Sequence, residues 1–196
     1  MSKAQDVFGP FLSFFFNLYT KFLERKFKSM GKGCSIRPIL NTTNPQNISL
    51  GDDVSIGILC WIATNTSLHK KPKLIIGNRV HIGAYAMIIA ANEIYIGNNV
   101  LLSERVTILD HVHDYTDVEK AVIDQPIAGK GKIIIENDCF IGINSVIMGG
   151  IKIGKHAVIG ANSVVTHDVP SYAVVAGSPA KVIKRYDKKK KKWTRV

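Results

Sequence analysis

Residues 135–165 read IENDCFIGINSVIMGGIKIGKHAVIGANSVV. An aliphatic residue falls at every sixth position: Ile135, Ile141, Ile147, Ile153, Ile159 and Val165. Gly142, Gly154 and Gly160 follow three of these directly, and four positions after each comes a small or aliphatic residue, from Cys139 and Ser145 to Ser163 and Val169. The frame recurs upstream as Leu50-Gly51, Ile56-Gly57 and Ile62-Ala63, then as Ile76-Gly77, Ile82-Gly83 and Ile88, then as Ile96-Gly97, Leu102 and Ile108. A period of six is neither helical nor the alternation of a plain strand. It describes short strands with a turn at every sixth residue, each aliphatic pointing inward to a common stacked column. Glycine after the aliphatic suits a corner that needs an unusual backbone angle. Three steps close a triangular coil, and coils stack at the strand spacing of about 4.8 Å. Five coils are expected, starting near residues 50, 76, 96, 135 and 153. The chain is therefore read as all-β, a parallel β-helix of hexapeptide repeats.

Two interruptions break the frame. Between Ile62 and Ile76 sits an insertion containing His69, Lys70 and Lys71; between Ile108 and Ile135 sits a longer one, residues 110–132, reading DHVHDYTDVEKAVIDQPIAGKGK. A long excursion from so regular a solenoid is a usual place for function.

The 196 residues, 46% hydrophobic and 21% charged, fit one domain with a sizeable core and exclude a disordered or collagen-like chain. Cys34, Cys60 and Cys139 form no CxxC pair, which argues against a disulfide framework or a cysteine zinc site and for a reduced, cytoplasmic chain. The net charge of +11 sits at the two ends: residues 184–196 hold eight bases against Asp187, residues 1–37 hold seven against Asp6 and Glu24, and the body is close to neutral. A nucleic-acid-reading face on the body is thereby excluded. Residues 7–27 place Phe11, Phe15, Leu18 and Phe22 at helical spacing, with Leu12, Phe16, Tyr19 and Leu23 beside them and Pro10 suited to a first turn. Asn17 and Lys21 interrupt the apolar run, which is too short to span a bilayer. Such an aromatic amphipathic helix either caps the open end of the solenoid or, aided by the lysine tail, makes a peripheral contact with an anionic membrane. Residues 188–192 read as a solvated tail. The chain thus divides into a helix and linker (1–37), a β-helix domain (38–185) whose loop 109–133 carries the histidines, and a basic tail (186–196) preceded by a short C-terminal helix.

The hexapeptide steps, the histidine-bearing loop and the closing stretch VVTHDVPSYAVVAGSPAKVIK (164–184) resemble the bacterial hexapeptide-repeat O-acetyltransferases. The resemblance is strongest to the maltose and galactoside acetyltransferase-like enzymes and to the sugar acetyltransferases of capsule and O-antigen synthesis, and it covers roughly residues 48–185. It implies a left-handed coil, a homotrimer, and transfer of an acetyl group from acetyl-CoA to a saccharide hydroxyl with no metal. The family's loop histidine falls on His113, the general base, while His111, two residues earlier, competes for the same place; His111, Asp110 and Tyr115 are the candidates for acceptor binding. A hydroxyl is a poor nucleophile at neutral pH, and a positioned histidine is the side chain suited to taking its proton. For the coenzyme, the resemblance points to Phe140, Gly142, Ala161, Thr166, His167, Lys181 and Lys184. Phe140 stands where tryptophan is frequent, and His167 where lysine is usual. The acceptor-binding asparagine of the maltose and galactoside enzymes has no match in register, Asn92 being nearby but displaced. Flat solenoid faces offer no concavity, so a pocket is expected between subunits. Other readings stay open: an acetyltransferase for serine, an amino sugar or an antibiotic; a zinc enzyme of the carbonic-anhydrase branch using His81, His111 and His113; or a non-enzymatic scaffold.

Overall fold

A computed structural model describes the backbone of residues 9–196 and the side chains from residue 13 onward. The side chains of Pro10, Phe11 and Leu12 lie outside the described ones. The repeat folds into three parallel sheets that form the walls of a triangular, left-handed β-helix. The first sheet stacks Ser29–Met30, Ile48–Leu50, Lys73–Ile76, Glu93–Ile96, Ile133–Ile135 and Lys152–Ile153; the second begins with Ser35–Ile36 and runs through Phe140–Ile141 to Ala173–Gly177; the third spans Trp61–Thr64 to Val164–Val165. The period-six aliphatics resolve into three inward columns, one per wall. In the first sheet Leu50, Ile76, Ile96, Ile135 and Ile153 pair in register; the second aligns Ile36, Ile56, Ile82, Leu102, Ile141, Ile159 and Val175; the third aligns Ile62, Ile88, Ile108, Ile147 and Val165. All are buried. Winding starts one coil earlier than the glycine frame suggests, because Ser29–Met30 and Ser35–Ile36 already pair with the strands at 48–50 and 55–56.

The corner glycines act differently from the sequence expectation. Gly51, Gly57, Gly77, Gly83, Gly97, Gly142, Gly154 and Gly160 keep ordinary backbone angles; the left-handed positions lie two residues further on and are occupied by Asp53, Leu59, Arg79, Tyr85, Asn99, Asn144, His156 and Asn162. What glycine supplies is close approach. A Cβ on Gly83 would stand 2.5 Å from the Glu104 backbone nitrogen in the next coil, and one on Gly142 would stand 2.7 Å from that of Ala161. At the corner between the first and second sheets an Asx ladder fills the space beside these glycines. The side-chain oxygens of Asp52, Asn78, Asn98 and Asn137 accept from the backbone N–H groups of Lys32, Asp52, Asn78 and Asn98, each at 2.8 Å. The three cysteines occupy inward corner positions, each thiol donating to a corner carbonyl of the adjacent coil at 3.2 Å, and burial pushes the Cys139 thiol up to about 11.

Both ends are closed. The helix Gly9–Glu24 lies under the first coil, burying Leu23 beside Phe27. Its Thr20 hydroxyl accepts from the Ile36 N–H at 2.9 Å and lies 3.2 Å from the Ile36 carbonyl, which satisfies backbone groups of an otherwise bare edge. At the far end the expected C-terminal helix and solvated tail are instead an antiparallel extension of the second sheet, Ala180–Asp187 followed by Lys192–Arg195. The lysine run forms its turn. Tyr186 and Trp193 pack edge to face at 5.5 Å and Tyr186 leans on Tyr172, which stacks on His156, so aromatic packing fixes a segment that charge alone would leave free.

If close approach is the reason for the glycines, Gly83→Ala forces neighbouring backbone apart and lowers stability by about 1–3 kcal/mol. Gly129→Ala meets only the Leu68 Cδ1 at 3.2 Å and should stay within roughly 0.5 kcal/mol of the parent in the same chemical-denaturation experiment.

Candidate active site

The two insertions leave the solenoid at the same place, the corner joining the third sheet to the first. The longer one starts after Thr107–Leu109 and returns to Ile133–Ile135; the shorter lies between Trp61–Thr64 and Lys73–Ile76. They meet where Leu68 of the short insertion approaches Gly129 of the long one. In the long insertion, His111–His113 pairs antiparallel with Ile127–Gly129. The tip beyond is braced by Gln125, whose amide nitrogen donates to the carbonyls of Asp117 and Lys120 at 2.9 and 3.0 Å. Asp114, half-buried, accepts from the Thr116 backbone and hydroxyl, and these bonds hold its carboxyl below the usual range.

Asp110 is the anchor of the hairpin. It is completely buried, and its two oxygens accept from the backbone N–H groups of Ala91 and Asn92 at 2.7 and 2.8 Å, on the equivalent corner of the preceding coil. Its Oδ1 also lies 3.2 Å from the Nδ1 of His111, whose side chain is 13% exposed. Burial is the largest single influence on this carboxyl and pushes it up, but the His111 bond, the two amides and the His111 charge together outweigh it and hold the group below its ordinary value. Asp110 and His111 therefore form an oriented pair. His113 shares the hairpin face with His111, because alternate strand residues point the same way. It is exposed and, among the described residues, makes no side-chain hydrogen bond or ion pair. Tyr115 stands out from the loop at 65% exposure.

His111 looks into a cavity of about 400 Å³ lined by Asn44, Trp61, Thr64, Asn65, Thr66 and Ile89, among others. An aromatic ring beside neutral amides and hydroxyls can stack against and hydrogen-bond a polyhydroxylated ligand. The buried indole N–H of Trp61 has no partner among the described residues. Sequence reading missed these wall residues. The only signal was the interruption between Ile62 and Ile76, and nothing in the pattern showed that Asn65 and Thr66 return to a histidine more than forty residues away.

The residues expected at the coenzyme separate into two groups in the single chain. Phe140, Gly142 and Ala161 lie at or beside the corner from the second sheet to the third, with Lys181 on the adjoining hairpin opposite Ala176 and Lys184 further along it, opposite Val174. Thr166 and His167 lie at the histidine-bearing corner, bonded to each other at 2.9 Å. His81 stands on the outer face of the second sheet, 2.7 Å from the Ser55 hydroxyl and on a different wall from the hairpin. Among the described residues, no three His, Cys, Asp or Glu side chains of the chain come together as a metal site.

Residues 132–167 match the hexapeptide repeat of succinyl-transferase family. Over 79 residues the chain is 49% identical to 2,3,4,5-tetrahydropyridine-2,6-dicarboxylate N-acetyltransferase from Clostridium perfringens, a stretch covering 40% of this chain and 33% of that one. The chain thus spans about a third of the length of the curated relatives it matches. Among solved structures, AntD, an N-acyltransferase from Bacillus cereus in complex with dTDP and 3-hydroxybutyryl-CoA, shares the fold with a TM-score of 0.69 at 24% identity, over 87% of this chain and 89% of that one. A maltose O-acetyltransferase from Clostridium difficile 630 aligns with a TM-score of 0.61 at 25% identity, over 88% of this chain and 77% of that one. The chain is thus similar in sequence to an N-acetyltransferase over part of its length, and in fold to an N-acyltransferase and a maltose O-acetyltransferase over most of it.

Replacing Asp110 by Asn leaves one of two buried amides facing an NH₂ group and should lower stability by about 1–3 kcal/mol at neutral pH. Because the folded carboxyl is held below its unfolded value, its contribution is present above the ordinary carboxylate range and lost as pH falls through the folded value. The difference between parent and Asp110→Asn in denaturant titrations should therefore be largest near neutrality and shrink in acid.

Proposed function

We propose that this hexapeptide-repeat chain, related in sequence and fold to acetyl- and acyltransferases, moves an acetyl group from acetyl-CoA to a saccharide hydroxyl. The observation that carries this reading is the hairpin: the longest break in the solenoid sets two histidines on one face, beside a cavity walled by Trp61, Asn44, Asn65 and Thr66. His113 is the general base. Without a side-chain partner among the described residues, it takes the proton of the acceptor hydroxyl as the oxygen attacks the thioester carbonyl. The tetrahedral intermediate then collapses, the carbon–sulfur bond breaks, and the departing CoA sulfur takes up the proton from the imidazolium. The acetyl ester and free CoA are the products, and no covalent enzyme intermediate is needed. His111, fixed by Asp110, and Tyr115 hold the acceptor.

The coenzyme groups on the other corner imply that the site is shared between subunits of a homotrimer. Phe140, Gly142, Ala161 and Lys181 of one subunit would face the hairpin, Thr166 and His167 of the next, with Lys181 and Lys184 offering point charges to the phosphates. Two features support this. Val118 and Ile123 on the loop tip are 88% and 86% exposed, apolar groups that nothing among the described residues covers. The outer face of the third sheet, beside the hairpin, carries the half-buried Met87, Ile89, Leu109, Val146 and Met148. Acetyl-CoA as donor and three reduced thiols favour a reaction in the cytoplasm, at the inner face of the membrane if the acceptor is carried there.

A second assignment within this chemistry makes His111 the base, favoured by its oriented contact with Asp110. An amine acceptor, such as an amino sugar, is favoured by the N-acyl relatives and would change the product to an amide with the same base.

Calorimetric titration should show saturable acetyl-CoA binding by the parent, by His113→Asn and by His111→Asn. Against a saccharide acceptor, His113→Asn should lower kcat by about 10²–10⁴, whereas His111→Asn should raise the acceptor KM more than it lowers kcat. An exchange of these two effects assigns the base to His111. Absence of acetyl-CoA binding by the parent overturns the reading.

A further inference from the structure

The helix Gly9–Glu24 is apolar on two sides, and the solenoid covers only one. Phe16, Tyr19, Thr20 and Leu23, continued by Phe27, turn toward the first coil. On nearly the opposite side Phe14, Leu18 and Phe22 are 65%, 57% and 55% exposed, with Phe15 beside them. A cap needs no second apolar face, so the solenoid explains half of the helix and leaves the other half without a purpose. Cations border that outer face: Lys21, Arg25, Lys26 and Lys28, with the Lys26 ammonium 4.5 Å above the Phe22 ring. Glu24 is the only acid among residues 9–28. Among the described residues, no helix is long and apolar enough to cross a membrane.

We infer that this outer face docks the protein on an anionic bilayer surface, with Phe14, Phe15, Leu18 and Phe22 entering the headgroup boundary and the flanking bases meeting lipid phosphates. The charge pattern selects this occupant over a second copy of the chain. Two such faces would bring their own rings of four cations together, whereas anionic headgroups neutralise them. The lysine turn plays no part in this contact. It joins the last two strands of the second sheet, seven to eight strand spacings or roughly 34–38 Å from the first coil. The membrane contact is thus set by the helix end alone, and the solenoid stands on that end with its acceptor cavity in the lower coils. The inference stands independently of the acetyltransferase reading.

Co-sedimentation of the full chain with vesicles tests it. The parent should pellet with mixed phosphatidylglycerol and phosphatidylcholine vesicles and stay in solution with phosphatidylcholine alone. The double variant Leu18→Ser, Phe22→Ser should bind the anionic vesicles about tenfold more weakly or worse, with its melting temperature and oligomeric state unchanged because both side chains are exposed. A variant with Lys188, Lys189 and Lys190 changed to Gln should pellet like the parent. A parent that stays soluble with anionic vesicles overturns the proposal, as does a double variant that binds undiminished. Loss of binding through the lysine-turn variant alone assigns the contact to the wrong end and overturns it equally. A change of oligomeric state in the double variant shows that another copy covers the face, and this too overturns the membrane contact.

Discussion

Coils of this solenoid must approach within strand-pairing distance at every corner, and that constraint governs the rest of the molecule. A strand-to-strand ladder is easy along flat walls, but where the backbone turns between the first and second sheets the N–H of Asp52, Asn78 and Asn98 falls between ladder-bonded neighbours and takes a side-chain acceptor instead. Two devices meet the problem. Glycine removes the Cβ that would collide with the next coil, and at the corner between the first and second sheets the Asx ladder through Asp52, Asn78, Asn98 and Asn137 gives one N–H in each of four coils an acceptor. At the corner between the third and first sheets neither device repeats coil by coil; Asp110 and Asp168 accept backbone N–H groups there, each in its own setting. This is therefore the corner at which chain can leave and return without unstacking the coils, and both insertions leave there.

The site inherits its order from the same backbone. Asp110 finds the N–H groups of Ala91 and Asn92 because the third corner of the preceding coil presents them, and the carboxylate in turn orients His111. A surface histidine becomes a directed one through the burial of its neighbour. The exposed His113 takes its direction from the hairpin strand and, among the described residues, from no side-chain partner of its own.

Legibility followed the range of the physical signal. Period-six aliphatics are local and redundant, so the walls, the inward columns and the two excursions could be read directly from residues 50–165. The role of the glycines could not, because the collision they avoid is with a residue some twenty positions away, and only stacking reveals it. The first coil escaped because Met30 and Ile36 carry the frame for only two steps ahead of Pro38. The C-terminal hairpin escaped for another reason: five consecutive lysines read as solvated chain, while the contacts that fold them belong to Tyr172, Tyr186 and Trp193 on either side. At the candidate site, the loop that bears His111, His113 and Asp110 singled them out in the sequence, and the hairpin brings them together. The cavity wall could not be read in this way, since Asn44, Trp61 and Asn65 meet His111 only across stacked coils.

The anchoring of Asp110 on another coil also makes the site a sensor of correct assembly. A β-helix is repetitive enough to stack one rung out of step and still bury aliphatic against aliphatic. In such a mis-stacked chain the amides of Ala91 and Asn92 would no longer stand opposite the carboxylate, Asp110 would be buried without partners, and the hairpin would lose its hold. The hairpin, and with it the proposed chemistry, is thus tied to one register among several that hydrophobic burial alone would accept.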